Sequence, residues 1–514
     1  MFSKVKSCAV HGVDGRMIDV EADVNDGLPV FTMVGYLSSS VRESSERVRT
    51  ALKNSGFHLP PKRITINLSP ADMRKDGSGY DLAIATAVLL SLGVTAELSM
   101  EQTLVLGELS LDGSIKAIPG VLPMVICARE EGMTSCIVPK ENVQEAALVQ
   151  GISVIGVSSL KETMEYIQGI KEYENTNVEQ PAVDTSEYLY DIDFSDVVGQ
   201  ESIKRGMEIA AAGFHNVLLT GAAGAGKSML AKRLPTILPQ MSFEESLEVT
   251  KIYSVGGMLP PEGGLIHRRP FRAPHHTISE YALIGGGRVP TPGEVSFAHY
   301  GVLFLDELPE FSKPVLEVLR QPLEDRRIRI SRVQASYEFP ADFMFVAAMN
   351  PCPCGNYPDY RRCSCTEQQI RRYQSKVSGP LLDRIDIRME VKGVKQEVLF
   401  SKQKTESSKT IRARVEQARQ MQKERFARTG LLFNSQLDGK NLEEYITLSE
   451  EGKRLVLQLF EEQELSVRGV HRVLKLARTI ADLAGSEEIE HAHRQEAAFY
   501  RNQDVFAKEV LHGN

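Results

Sequence analysis

The stretch Gly221-Ala222-Ala223-Gly224-Ala225-Gly226-Lys227-Ser228 has the residue types and the spacing to hold a polyphosphate. It satisfies G-x-x-x-x-G-K-[ST], and its flanks suit that motif. Asn216 to Thr220 reads as a short apolar strand, and Met229 to Lys232 as the opening of a helix. In this setting Gly221, Gly224 and Gly226 let backbone N–H groups turn inward around phosphate oxygens, and the helix N-terminus adds the positive end of its dipole. Lys227 then reaches the β- and γ-phosphates of a nucleoside triphosphate such as ATP, and Ser228 ligates Mg²⁺.

Two carboxylates follow further along the chain. Gly301 to Leu305 forms an apolar, buried strand that delivers Asp306 and Glu307 at its C-terminal end, the edge where parallel sheets bind ligands. Asp306 is predicted to hold Mg²⁺, mostly through water, and Glu307 to polarise the attacking water. Phe343 to Met349 is a second buried strand, ending on Asn350, whose amide can orient the same water. Leu381-Leu382-Asp383-Arg384-Ile385-Asp386 closes this region, and by residue type alone Arg384 between acidic neighbours reads as a surface ion pair.

The elements that must position these groups alternate strand and helix from residue 194 to about 400, the pattern of a parallel α/β sheet. Residues 1–170 also mix short strands and helices. Ile18 to Val24 and Ile64 to Leu68 read as strands, and Ser39 to Asn54 and Tyr80 to Leu92 as helices. Residues 171–193 carry seven carboxylates against one Lys and read as an acidic linker. Residues 401–514 contain no Pro, and Thr410 to Thr429 and Ser466 to Ala484 read as long helices, so this segment is predicted to be all-α. The whole, 514 residues, fits about three domains. With 42% hydrophobic and 25% charged residues it is a soluble globular composition rather than a disordered one. A net charge of −8 excludes a protein that coats nucleic acid by bulk charge, but leaves room for local basic patches. No apolar run is long enough to span a membrane and no signal peptide is read at the N-terminus. Seven cysteines, an odd number, point to a reducing compartment, so a cytoplasmic location is expected.

The order of these elements resembles an AAA+ ATPase. Phe271-Arg272-Ala273-Pro274-His275-His276-Thr277 resembles the helix-2 insert of the magnesium-chelatase-like branch, and Arg329 to Phe339 its pre-sensor hairpin. Asn350-Pro351-Cys352-Pro353-Cys354-Gly355 and Ala477-Arg478-Thr479-Ile480-Ala481-Asp482-Leu483 resemble the same branch. Over essentially its full length the chain is similar to the YifB/ComM family. The resemblance implies a multidomain α/β architecture: a Lon-like, ribosomal-S5-type α+β domain, an AAA+ P-loop α/β domain and a C-terminal all-α lid. It implies ring assembly, usually as a hexamer, with nucleotide between subunits. Arg384 is then the arginine finger that reaches a neighbour's γ-phosphate. Arg468, in Ser466-Val467-Arg468-Gly469, matches the sensor-2 arginine at the start of a lid helix, with Arg472 one turn later as the competing candidate. One departure is Ala222-Ala223, where many AAA+ loops have two prolines; it removes no required donor.

Arg74-Lys75-Asp76-Gly77-Ser78-Gly79-Tyr80-Asp81 resembles the serine-bearing segment of the Lon protease domain, but Gly79 falls where the nucleophile belongs and Leu122 where the lysine base belongs. A Ser–Lys mechanism needs both groups, so no protease activity is expected. Cys352, Cys354, Cys363 and Cys365 pair as C-x-C twice within a short turn-rich stretch, which suits a structural Zn²⁺ on four thiolates; free thiols or a redox pair are the alternatives. Cys8, Cys127 and Cys136 read as ordinary core or near-core residues. Arginines cluster in the inserts: Arg326, Arg327, Arg329 and Arg332; Arg268, Arg269 and Arg272; and Arg361, Arg362, Arg371 and Arg372 beside the second Cys pair. A positive channel on a negative body would suit single-strand or branched DNA. Two functions remain open. One is an ATP-driven DNA helicase or branch-migration factor, since ComM-like members are associated with DNA integration in natural transformation. The other is a protein-remodelling ATPase of the chelatase kind.

Overall fold

The computed structural model describes residues 1–94, 100–171, 190–260, 264–332, 335–393, 405–446 and 466–501. Most of the expected linker at 171–193 and the expected boundary near residue 400 lie outside the described residues.

The first sheet has seven strands: β1 (Phe2–His11), β2 (Asp14–Asn25), β3 (Phe31–Val34), β4 (Arg63–Ser69), β5 (Thr103–Val105), β6 (Ser135–Pro139) and β7 (Ser153–Val157), in the order β3-β4-β2-β1-β5-β6-β7. β1 and β2 form an antiparallel hairpin in register from Phe2 with Asp23 to His11 with Asp14. Side chains alternate across the sheet. Val5, Ile18 and Val20 face a core shared with helices α1 (Ser44–Asn54) and α2 (Asp81–Ser91). Cys8, Leu104 and Cys136 face the opposite core, built with α3 (Val121–Glu130). The helix expected over 39–54 is interrupted at Glu43, between Ser39–Arg42 and α1. Asp81, which opens α2, is fully buried and its cost is offset by the Arg47 guanidinium at 2.8 and 3.1 Å.

The second sheet is parallel and has five strands: β8 (Val217–Thr220), β9 (Phe271–Arg272), β10 (Val302–Leu305), β13 (Met344–Met349) and β14 (Ile387–Glu390), in the order β9-β10-β13-β8-β14. A separate hairpin, β11 (Arg327–Ser331) with β12 (Ser336–Pro340), stands between β10 and β13 in sequence. β8, β10 and β13 are apolar and buried at every position, as strands covered on both faces must be. Val217 pairs with Val346 on one side and Ile387 on the other, so β8 is an interior strand and its C-terminal end is flanked by those of β13 and β14. The covering helices include α4 (Glu201–Gly213), α5 (Lys227–Arg233), α6 (Phe243–Val255) and the short α7 (Arg320–Asp325), which leads into β11.

The described part of 405–501 is helical: α8 (Ser408–Phe426), α9 (Val467–Leu483) and α10 (His491–Arg501) are its longer elements. Ser466 caps α9, its hydroxyl accepting from the Gly469 N–H at 3.2 Å. Val473, Leu474, Ala477, Ile480 and Ala481 turn inward at helical spacing and join the core under β8 and α4, with Val470 at its margin. Each large apolar side chain so buried contributes about 1.5–3 kcal/mol.

The first sheet's domain docks on α6. Val13 packs with Ile252, Phe297 and Phe339. The Gly120 N–H donates to the Ser254 carbonyl at 3.0 Å, and Lys251 meets Asp14 at 2.9 Å. His11 stacks on Tyr337 of β12 with ring centroids 4.5 Å apart.

Candidate active site

The phosphate loop, the acidic pair and Asn350 all leave the C-terminal edge of the parallel sheet. At Gly221 a Cβ would lie 2.2 Å from the Val391 carbonyl, so the turn out of β8 admits only glycine. Gly224 and Gly226 have φ of 76° and 95°, which turns the loop back onto the N-terminus of α5. Lys227 opens α5 and is nearly buried. Its Nζ donates to the carbonyls of Gly221 (2.7 Å) and Ala222 (2.9 Å) and to Oδ1 of Asn350 (3.0 Å). Burial pulls its pKa below the usual lysine range, against the opposing pull of Asp306 and Glu307. Its contacts are neutral acceptors, which a polyphosphate anion would replace with a much stronger partner.

Ser228 Oγ lies 2.5 Å from Asp306 Oδ2, so the hydroxyl and carboxylate expected to share Mg²⁺ are already side by side. These two oxygens are hard donors of the kind Mg²⁺ takes, leaving its other positions to water and phosphate. Glu307 follows in a left-handed conformation, φ 52°, its N–H donating to Asp306 Oδ1 at 2.9 Å. A non-glycine residue held there carries backbone strain of the sort found at working sites. Its carboxylate is 60% exposed and stands 3.9 Å from His276 Nδ1. Thus β8, β10 and β13 bring Lys227, Ser228, Asp306, Glu307 and Asn350 to one place.

Arg384 and Arg468 are not part of that group. Asn216, at the other end of β8, donates through Nδ2 to the Arg384 carbonyl at 2.9 Å and through its backbone N–H to Asp386 Oδ2 at 3.0 Å. Both arginines line a cleft of about 330 Å³ at the N-terminal ends of the strands, with Glu324, Asp386, Arg472 and Lys475. Arg472 is tied to the buried Asp386 at 3.1 Å, whereas Arg468, in the first turn of α9, is 74% exposed. Asp386 is buried, which raises its pKa, but His215 and Arg472 outweigh this and hold it well below the usual carboxylate range.

The four clustered cysteines meet. Cys352 Sγ is 3.4 Å from Cys354 Sγ and 3.8 Å from Cys363 Sγ, Cys354 and Cys363 are 3.7 Å apart, and all four sulfurs, Cys365 included, lie within 4.8 Å of one another. Tetrahedral Zn–S bonds of about 2.3 Å put sulfurs about 3.8 Å apart, so this donor set fits zinc. The loop adjoins the phosphate site: a Cβ on Gly355 would be 3.3 Å from the Ala223 N–H nitrogen.

The insert arginines divide. Arg269 is buried against Glu245 at 3.2 Å and Arg272 is held by Glu294 at 2.6 and 2.7 Å, so both serve the fold and not a channel surface. Arg326 bonds the Ser435 carbonyl and lies 3.6 Å from Asp342. Arg327 and Arg329 share Glu338 but stay exposed, as do Arg332, Arg361, Arg362, Arg371 and Arg372. In the first domain Lys75 Nζ donates to the Met73 and Pro70 carbonyls and Ser78 to Glu108, so these two side chains do not pair with each other. Gly79 packs on Ile118 and Leu122 is fully buried. Two site neighbours were given no role by the sequence, although one of them, His276, lies within the Phe271–Thr277 insert segment. His276 faces Glu307, and Gln200, at φ 61°, reaches the phosphate loop through its Nε2 bond to the Ala225 carbonyl at 3.3 Å. Gly199-Gln200 just before a helix is the only sequence signal for the latter.

Three family models match the chain in succession: "Subunit ChlI of Mg-chelatase" over residues 20–142, "Magnesium chelatase, subunit ChlI" over 193–399 and "Magnesium chelatase, subunit ChlI C-terminal" over 405–501. The chain is 40% identical over 503 residues to competence protein ComM of Haemophilus influenzae, covering 97% of each. It is 41% identical over 506 residues to YifB of Escherichia coli, covering 98% of this chain and 97% of that one. Lon protease 2 of Bacillus subtilis is 29% identical over 183 residues, 32% of each chain. With similarity of that extent, the chain belongs to the YifB/ComM family of magnesium-chelatase-like AAA+ ATPases.

Proposed function

We propose that the chain hydrolyses ATP as a ring, a hexamer, and uses the energy to move DNA as a helicase or branch-migration factor. The observation that carries the ring is the separation of the arginines from the phosphate site. Lys227 lies beyond one end of β8 and Arg384 and Arg468 beyond the other, so one subunit does not complete its own site. In the assembled form Lys227 and Ser228–Mg²⁺ hold the triphosphate, Glu307 polarises water, Asn350 orients it, and a neighbour's Arg384 and Arg468 neutralise the terminal phosphate. Arg468 suits the sensor role better than Arg472, which Asp386 occupies. Zinc on Cys352, Cys354, Cys363 and Cys365 stiffens the loop beside the phosphate site. The N-terminal Lon-like domain is a scaffold rather than a protease.

DNA is supported by the exposed arginines of the β11–β12 hairpin and of the cysteine loop. A salt titration of single-strand and forked-DNA binding, with a non-hydrolysable ATP analogue present, tests it. Affinity should fall steeply with salt as counterions are released. Absence of salt-sensitive binding would favour protein remodelling instead, a reading helped by Arg269 and Arg272 being spent on internal carboxylates.

A further inference from the structure

Glu324 sits in the last turn of α7, and one of its carboxylate oxygens meets both distant arginines. Oε1 is 2.5 Å from Arg384 Nη2 and 3.7 Å from Arg468 Nη1. The two arginines come from segments far apart in sequence, and a single acidic side chain gathers them.

The chemistry of this contact differs from that of its neighbour Asp386. Asp386 is buried and saturated: it accepts from the Asn216 N–H at 3.0 Å, meets Arg472 at 3.1 Å and faces His215 at 3.6 Å. It is a fixed anchor. Glu324 is half exposed, at 50%, and one of its two partners is mostly in solvent. Arg384, at 8% exposure, is enclosed, yet its Nε has no partner. Its Nη1 donates to the Pro380 carbonyl at 2.7 Å, and the unpartnered Nε–H leaves capacity for a further acceptor. A carboxylate that takes an arginine by one oxygen, at the surface, is also a weak competitor for it. A terminal phosphate offers more oxygens and more charge.

We propose that Glu324 is an internal stand-in for the neighbouring subunit's terminal phosphate. In the free subunit it holds Arg384 and Arg468 together; in the ring it yields them to nucleotide. Glu324 is thus a positioning residue, acting through Arg384, and its charge competes with assembly on ATP. The inference rests on the trans placement of Arg384 and Arg468 given above.

The test is ATP turnover by the full chain as a function of protein concentration, for wild type, Glu324→Gln and Glu324→Asp, with melting temperature recorded for each. Glu324→Gln keeps the shape and removes the competing charge. It should lower the protein concentration for half-maximal turnover by about three-fold, the worth of a half-exposed ion pair of under 1 kcal/mol. The KM for ATP should fall with it, while kcat at saturating protein stays unchanged. Glu324→Asp, which restores the charge, should return the midpoint toward wild type. A Glu324→Gln curve that coincides with wild type overturns the proposal. So does a lower kcat with an unmoved midpoint, which would make Glu324 only a support for Arg384. If Glu324→Gln melts early, Glu324→Ser carries the same comparison. Arg384→Ala, run alongside, separates the two levels: full turnover in that variant overturns the trans placement and this inference with it. Loss of turnover there with an unshifted Glu324→Gln midpoint overturns this inference alone.

Discussion

Replacing Glu307 by Gln isolates the hydrolytic step. The side chain is 60% exposed and stands 3.9 Å from His276 Nδ1, so no buried pair is broken. Gln fits the left-handed backbone at φ 52° about as well as Glu, and the Glu307 N–H keeps its bond to Asp306. A surface change of this kind alters stability by about 0.5 kcal/mol or less. Lys227, Ser228 and Asp306 retain every contact described, so ATP affinity should stay within about a factor of three, since charge removed near Asp306 favours the anion slightly. Water activation by a positioned carboxylate contributes about 10²–10⁴ in rate, and Gln cannot accept the proton. The expected variant therefore binds ATP normally and turns it over about 10²–10⁴ times more slowly. Equilibrium binding of a fluorescent ATP analogue and a phosphate-release assay read the two quantities separately. Turnover within a factor of about two of wild type would remove Glu307 from its role and redirect attention to His276 or Asn350. Loss of binding and turnover together would mean that the acidic pair shapes the phosphate loop and does not act on water.

Subunits carrying Arg384→Ala and subunits carrying Lys227→Ala should each be inactive alone and regain part of the turnover when mixed, because a mixed interface can pair an intact loop with an intact arginine; no rescue in rings shown to be mixed refutes action in trans. Metal analysis after purification without chelators should find zinc near one per chain, and Cys363→Ser should lose it together with several degrees of melting temperature; zinc-free wild type refutes the metal. Arg472→Gln removes one of the groups that hold Asp386 below the usual carboxylate range. Stability from a depressed carboxylate is present above its unfolded pKa of about 3.9 and is lost as pH falls toward the folded value. The acid unfolding midpoint should therefore move to higher pH in Arg472→Gln, and an unmoved midpoint means that His215 suffices.

What could be read from the amino-acid order was what local spacing fixes. The interval from Gly221 to Ser228 sets a loop and the first turn of a helix whatever surrounds them, so Lys227 and Ser228 were legible at once. Asp306, Glu307 and Asn350 follow apolar runs with no alternation, which marks strands covered on both faces. Parallel strands then put their C-terminal ends along one edge, and the meeting of these residues with Lys227 follows from that geometry. The four cysteines were legible for the same reason, since their ring closes within one short loop. Residue type gave no such hold on the arginines. Arg272 and Arg329 both stand in inserted segments, yet one is clamped by Glu294 and the other lies exposed on a hairpin. Glu338 lies nine residues from Arg329 as its direct cross-strand partner in the hairpin, whereas Glu294, 22 residues from Arg272, stands at no fixed helical or strand period. The convergence of Arg384 and Arg468 on Glu324 is harder still, since it depends on how α9 caps at Ser466 and how α7 ends, two local events far apart in sequence. A count of charges over a segment measures the net field of that segment. It does not say which guanidinium remains available to a phosphate, because that depends on the one carboxylate the fold happens to bring within 3 Å.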